Sequence, residues 1–181
     1  MTEPSDLSTL RALLERWSAA SPEAADSLGL FMSPDLKPSG YDQTPAGCLT
    51  FAWTGGDGVH FSLADLGHGI TNASPVVMTV PMQFDAPNMV VGENLSEFLA
   101  LGLLTGYFVL EQLAYDRAGF LPQLTVTSVS AEEAEILRDI AQTFGIAPWE
   151  DPGARLDVLN GKFASLLPEG SARPDDPQER L

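Results

Sequence analysis

The chain has 181 residues and carries 25 acidic against 9 basic side chains, a formal net charge of −16. That length fits one domain with appendages, and 44% hydrophobic residues suffice for a sizeable core. A balance this acidic repels nucleic acid and anionic lipid, and the single cysteine, Cys48, excludes an internal disulfide.

The N-terminus, MTEPSD, lacks the basic-then-apolar order of a signal peptide. The most apolar stretch, 95–113, is interrupted by Glu97 and Glu111 and falls short of the roughly 20 apolar residues a membrane span needs. A soluble cytoplasmic protein is expected. Leu7, Leu10, Leu13, Leu14 and Trp17 recur at helical spacing and predict an amphipathic first helix, capped by Ser5 or Asp6. Residues 19–45, with Pro22, Pro34, Pro38 and Pro45, read as a long connection pinned at Leu28, Leu30 and Phe31.

Residues 46–63 are central. Leu49, Phe51 and Trp53 alternate with Thr50, Ala52 and Thr54, and Val59, Phe61 and Leu63 alternate with His60 and Ser62. A period of two predicts two half-buried strands. Gly55-Gly56-Asp57-Gly58 between them tolerates the positive φ of a tight turn, so the segment reads as a hairpin at the heart of an antiparallel sheet. Cys48 then lies in a strand as a buried thiol.

A polar loop, 64–74, follows, then short strands at VVMTV from Val76 and at Asn88–Gly92. Asn94 caps the next helix, with Glu97 three residues on and Leu95, Phe98, Leu99 and Leu103 as its buried stripe; Gly102 and Gly106 interrupt it. The run Tyr107–Asp116 is apolar over most of its circumference and is expected deep in the structure. Leu124–Val129 alternates like an edge strand. Ser130 and Glu133 form a capping box before a helix with Ala134, Leu137, Ile140, Ala141 and Phe144 on one face, ended by Gly145. Asp151-Pro152 opens a last helix, although Asn160-Gly161 is also a hairpin signal. Residues 168–181 read as a disordered tail.

Motifs of high chemical specificity are missing. Asp57-x-x-His60 and Asp65-x-x-His68 are paired carboxylates and imidazoles able to offer a metal two nitrogens and two oxygens, which makes a metal-dependent hydrolase or ligand-binding protein the alternative reading. Their spacing matches no metal motif, so no metal or cofactor is expected. The glycine-rich turn precedes no helix and has no nearby Lys or Arg, unlike a phosphate cradle. Between Lys37 and Arg117 there is no basic residue, while Asp42, Asp57, Asp65, Asp85, Glu93, Glu97, Glu111 and Asp116 all fall there. Such a surface attracts a basic partner and speeds its encounter, although acidity also serves solubility alone. Trp53 suits core packing or, on an open face, an aromatic anchor with Phe51 and Tyr41. The partner-binding candidates are Tyr41, Trp53, Asp57, His60 and Asp65. A scaffold self-associating through helices at 95–114 is a third possibility.

The order of elements, with GGDGVHFSL, then PVVMTVPMQFDAPNMVVGENLSEFLALG, then TGYFVLEQLAY, resembles bacterial members of the SUKH superfamily, in which a Gly-Asp-rich strand turn precedes a helix of the type x-SFxEFLxxL. Here Asn94-Leu95-Ser96-Glu97-Phe98-Leu99 takes that place, and the resemblance covers residues 5–115. It implies an α+β domain, with a central antiparallel or mixed sheet of four to five strands packed against helices, spanning residues 1–167 with a C-terminal helical extension at 120–167. It also implies a module that binds rather than catalyses, like the family's immunity proteins that neutralise nuclease or deaminase toxins, and hence a monomer or weak homodimer with a basic protein partner.

Overall fold

Five strands, β1 (Phe31–Lys37), β2 (Cys48–Trp53), β3 (His60–Ala64), β4 (Val76–Thr79) and β5 (Asn88–Gly92), pair in chain order, each neighbour antiparallel. The computed structural model describes residues 3–125 and 129–167. Helices α1 (Ser5–Ala20), α2 (Pro22–Ser27), α3 (Leu95–Gly102), α4 (Gln112–Tyr115), α5 (Arg117–Phe120), α6 (Ala131–Phe144) and α7 (Pro152–Lys162) surround that meander, an α+β architecture.

The period-two pattern explains the layers. Phe61 and Leu63 of β3, Val76 and Met78 of β4 and Val91 of β5 face a core filled by Leu7, Leu10, Leu13 and Leu14 of α1, Phe98 and Leu99 of α3, and Ile136 and Ile140 of α6. Phe98 is its hinge, with ring centroids 4.7 Å from Phe61, 5.9 Å from Phe51 and 5.1 Å from Tyr107. The opposite face is also buried. Cys48, Ala64, Val77 and Val90 meet Leu159 and Phe163 at the α7 end of the chain. The two faces of β3 are therefore both covered, not half-buried. Burial pushes the Cys48 thiol up to about 11, an inert group.

Both sheet edges are blunted, as exposed edges must be. On β5 the Asn160 side chain acts as a further strand residue: its Oδ1 accepts from Val90 N–H at 2.9 Å and its Nδ2 donates to Val90 C=O at 3.1 Å. On β1, Pro34 lacks an N–H and Arg11 Nη1 donates to Ser33 C=O at 2.7 Å. Arg155 ties α7 to the start of α3 through Glu97 at 2.6 Å and Glu93 at 3.0 Å, and Lys162 also pairs with Glu93.

Several expectations need correction. The long connection at 19–45 contains α2 and β1; two prolines within or just after β1 disguise a strand that needs few ladder bonds at an edge. Helix α1 takes no cap from Ser5 or Asp6. Pro4 precedes it, and Asn72 Oδ1 accepts from the Asp6 amide at 3.2 Å instead. Leu124 and Thr125 lie in a 3-10 turn rather than a strand, and residues 126–128 of that call are outside the described residues, as is the tail at 168–181. Asn160-Gly161 continues α7 rather than turning a hairpin. The run from Tyr107 is broken into a 3-10 turn (Phe108–Glu111) and α4; Tyr107, Leu110 and Leu113 are buried, but Phe108 and Tyr115 are exposed. The Ser130–Glu133 capping box and the left-handed Gly145 cap are present as read.

Because Asn160 satisfies both polar groups of Val90, Asn160→Ala should cost about 1–3 kcal/mol of unfolding free energy. Urea denaturation measures it; an unchanged midpoint would show that water replaces the amide at no cost.

Candidate functional site

Strand β2 does not alternate cleanly. Thr50 pairs with Ser62, yet Ala52 pairs with Phe61 and Trp53 with His60, so one residue is inserted between Thr50 and Ala52. This bulge turns Phe51 and Ala52 both into the main core and sends Trp53 to the opposite face from Leu49 and Phe51. The expectation that Leu49, Phe51 and Trp53 share one side is therefore overturned at Trp53. Its ring packs on His60 at 4.9 Å between centroids.

One row of cross-strand partners ends the sheet: Phe31, Trp53, His60, Thr79 and Asn88. The β1–β2 loop folds over it. Tyr41 stacks on His60 at 5.7 Å and tilts against Trp53 at 6.2 Å. Thr79 Oγ1 donates to Asn88 Oδ1 at 2.8 Å, and Asn88 Nδ2 donates to Gln43 C=O at 2.9 Å. His60 has no exposed surface. Its Nδ1 lies 2.8 Å from Gly58 C=O, which only accepts, so Nδ1 carries the proton. Nε2 then accepts from the Thr44 hydroxyl at 2.8 Å, and Thr44 in turn bonds Ser39. Burial lowers the His60 pKa, opposed by the Gly58 bond, which keeps the ring neutral. The imidazole thus pins the loop that carries Tyr41. The imidazole is buried against the Tyr41 and Trp53 rings, while Thr44 keeps part of its surface exposed.

The β2–β3 turn projects from this end. Asp57 sits at φ 47°, and a Cβ at Gly58 would overlap the Tyr41 ring, so the turn needs its glycine there. Phe31 lies against Gly55 and Phe108 against Gly56. The β4–β5 loop arrives beside them, held by Gln83 Nε2 donating to Ala114 C=O at 3.0 Å. Among the described residues, six of the eight exposed large apolar side chains belong to this end: Phe31, Tyr41, Met82, Phe84, Phe108 and Tyr115. Acidic residues surround them: Asp26, Asp42, Asp57, Asp85, Glu111 and Asp116. Partial burial raises the Glu111 pKa and repulsion from Asp57 raises it further; burial, then Glu111 and Asp57, do the same to Tyr115.

Of the residues singled out in the sequence, Tyr41, Trp53, Asp57 and His60 share this end. Asp65 and His68 follow the other end of β3. There Asp65 Oδ1 accepts from the amides of Gly67, His68 and Gly69 at 2.7, 2.9 and 2.8 Å, which holds its carboxyl below the usual range. The two Asp–His pairs therefore do not meet, and among the described residues no three His, Cys, Asp or Glu side chains converge as metal ligands. Phe31, expected to pin the 19–45 connection, and Phe108, expected deep in the structure, are instead exposed, whereas Met82 and Phe84 lie in a loop after Pro81 that carries no periodic signal. No helix among the described residues is long and apolar enough to cross a membrane. No family model, curated protein or solved structure matches the chain, so the SUKH resemblance stands on its motifs alone.

A buried neutral His binds fewer protons folded than unfolded below its ordinary pKa of about 6.5, so its contribution to stability is full above that value and is lost as pH falls. Glu111, with a raised carboxyl, works in the opposite sense, starting nearer its own 4.5. The stability of the wild type should therefore fall from about pH 7 to about pH 5 more steeply than that of His60→Gln, measured by urea midpoints. Parallel profiles would place the imidazole in water.

Proposed function

We propose that the protein is a non-catalytic binding module that occludes a basic protein partner, in the manner that the SUKH resemblance implies for immunity proteins facing a nuclease toxin. The observation that carries this reading is the coincidence of six exposed apolar side chains with an acidic rim at one end of the sheet. Monomeric proteins seldom expose apolar surface so locally unless it is used, and aromatic anchors ringed by charge are the usual composition of an interface. No Lys or Arg lies between 38 and 116, so the turn, both loops and the 3-10 segment of this end carry negative charge alone. Arg11 of α1, whose side chain reaches the neighbouring β1 edge, is engaged by Glu3 at 2.7 Å.

The buried His60, bonded to Thr44 and Gly58, supports a structural part for the imidazole, and the placement of the two Asp–His pairs at opposite ends of β3 favours the binding reading over the metal-dependent hydrolase. Asp65 lies at the far end of the sheet and takes no part in this surface.

Association with a basic partner captured at low salt should weaken steeply as ionic strength rises, since charges in water are screened over about 10 Å at ~0.1 M. Asp57→Lys should slow association about tenfold with little change in dissociation, and Asp65→Lys should leave both rates nearly unchanged. Biosensor kinetics against a basic protein encoded beside this gene distinguish the cases. Retention of no basic protein at low salt, or equal effects of both reversals, would remove the proposal.

A further inference from the structure

The acidic end contains a recess. It is an open slot of about 430 Å³ lined by Asp26 and Ser27 of α2, Phe31 of β1, Thr54 and Gly55 of the turn, and Phe108. We infer that this slot receives an arginine side chain of the basic partner, its guanidinium against the Phe31 and Phe108 rings and its charge met by Asp26.

The walls are preformed. Leu28 C=O accepts from the amides of both Tyr107 at 2.8 Å and Phe108 at 3.2 Å, which fixes the Phe108 backbone to the α2–β1 connection. A Cβ at Gly29 would meet the Phe108 backbone at 2.5 Å, so the two segments touch directly. On the other wall, a Cβ at Gly55 would stand 2.6 Å from the Phe31 ring, which therefore packs directly against the turn. Both phenyl groups keep exposed surface, 39% for Phe31 and 46% for Phe108.

The chemistry selects the occupant. Two aromatic rings alone would accept a leucine equally well. Asp26 opens onto the same recess and is exposed, and Asp57 and Glu111 lie on the adjoining turns, so the local field favours a cation. A cation beside aromatic faces gains from their negative quadrupole, and the planar guanidinium stacks there while its edge donates two bonds to one carboxylate. An ammonium is a hydrated point charge and uses neither feature well, so arginine is preferred to lysine. Asp26 and Phe31 also line the next groove, between α1, α2 and β1, where Glu15 and the Glu3-paired Arg11 stand as well.

This inference rests on the acidic-surface reading, and one experiment separates the two. A fluorescein-labelled oligo-arginine peptide and its oligo-lysine counterpart of equal length are titrated by anisotropy at low salt into the wild type, Asp26→Asn, Phe108→Ala and Glu135→Gln. The three positions are exposed, so the fold survives, which circular dichroism checks. Glu135 on α6 controls for loss of one charge. Oligo-arginine is expected to bind more tightly than oligo-lysine, and Asp26→Asn and Phe108→Ala are each expected to weaken it about five- to tenfold while Glu135→Gln weakens it less than twofold. Equal affinity for both peptides, or equal effects of Asp26→Asn and Glu135→Gln, overturns the slot and leaves the acidic surface standing. No binding of either peptide overturns both.

Discussion

A single inserted residue in β2 governs the exposed chemistry of this protein. Without the bulge between Thr50 and Ala52, strict alternation would bury Trp53 beside Phe51 and leave His60 with no aromatic neighbour on its own strand pair. With it, Phe51 and Ala52 both serve the main core, and Trp53 joins His60 and Tyr41 on the far face. That face is divided. Leu159 and Phe163 cover the Cys48–Val90 half, while the row through Trp53 and His60 is roofed by the β1–β2 loop. The bulge therefore separates the part of the sheet that stabilises from the part that is presented.

The presented end combines two features that each cost stability. Exposed aromatic rings forgo burial, and the Glu111 carboxyl is pushed up by its partial burial and then by repulsion from Asp57. The proposed cationic, partly apolar partner would relieve both at once. The cost is tolerable because the rest of the molecule is conservatively built: a core hinged on Phe98, both sheet edges blunted, and α7 clamped to α3 by Arg155 and Lys162. Asp65 shows the contrast. Its Oδ1 accepts from three backbone amides and shapes its own loop.

Much of the fold is legible in the sequence because its signals are local. The alternation in β3, the prolines bounding β4, the Asn94 cap, and the Ser130–Glu133 box before α6 with its Gly145 stop all depend on residues a few positions apart. What is not legible depends on distant partners. β1 is a strand only because β2 offers it a ladder, and Pro34 sits in it because its other side has no strand to pair with. The bulge leaves no mark in an otherwise perfect alternation from Leu49 to Trp53. Phe108 and Tyr115 read as interior because the run around them is apolar, yet the break into a 3-10 turn and a one-turn helix rotates both outward. Of the candidate site, the acidic charge, Tyr41, Trp53 and the Asp57 turn are visible in sequence, whereas Phe31, Phe84 and Asp26 join them only through topology.

The central claim is that one end of the sheet is the recognition surface for cationic protein. Amide chemical-shift mapping of the ¹⁵N-labelled protein with an arginine-rich peptide tests it most directly. The account predicts shifts confined to residues 26–31, 41–44, 53–60, 82–88 and 108–116, with α6 unmoved despite Glu132, Glu133 and Glu135. Shifts that follow acidic residues wherever they lie, α6 included, would contradict it and reduce the charge to an aid to solubility.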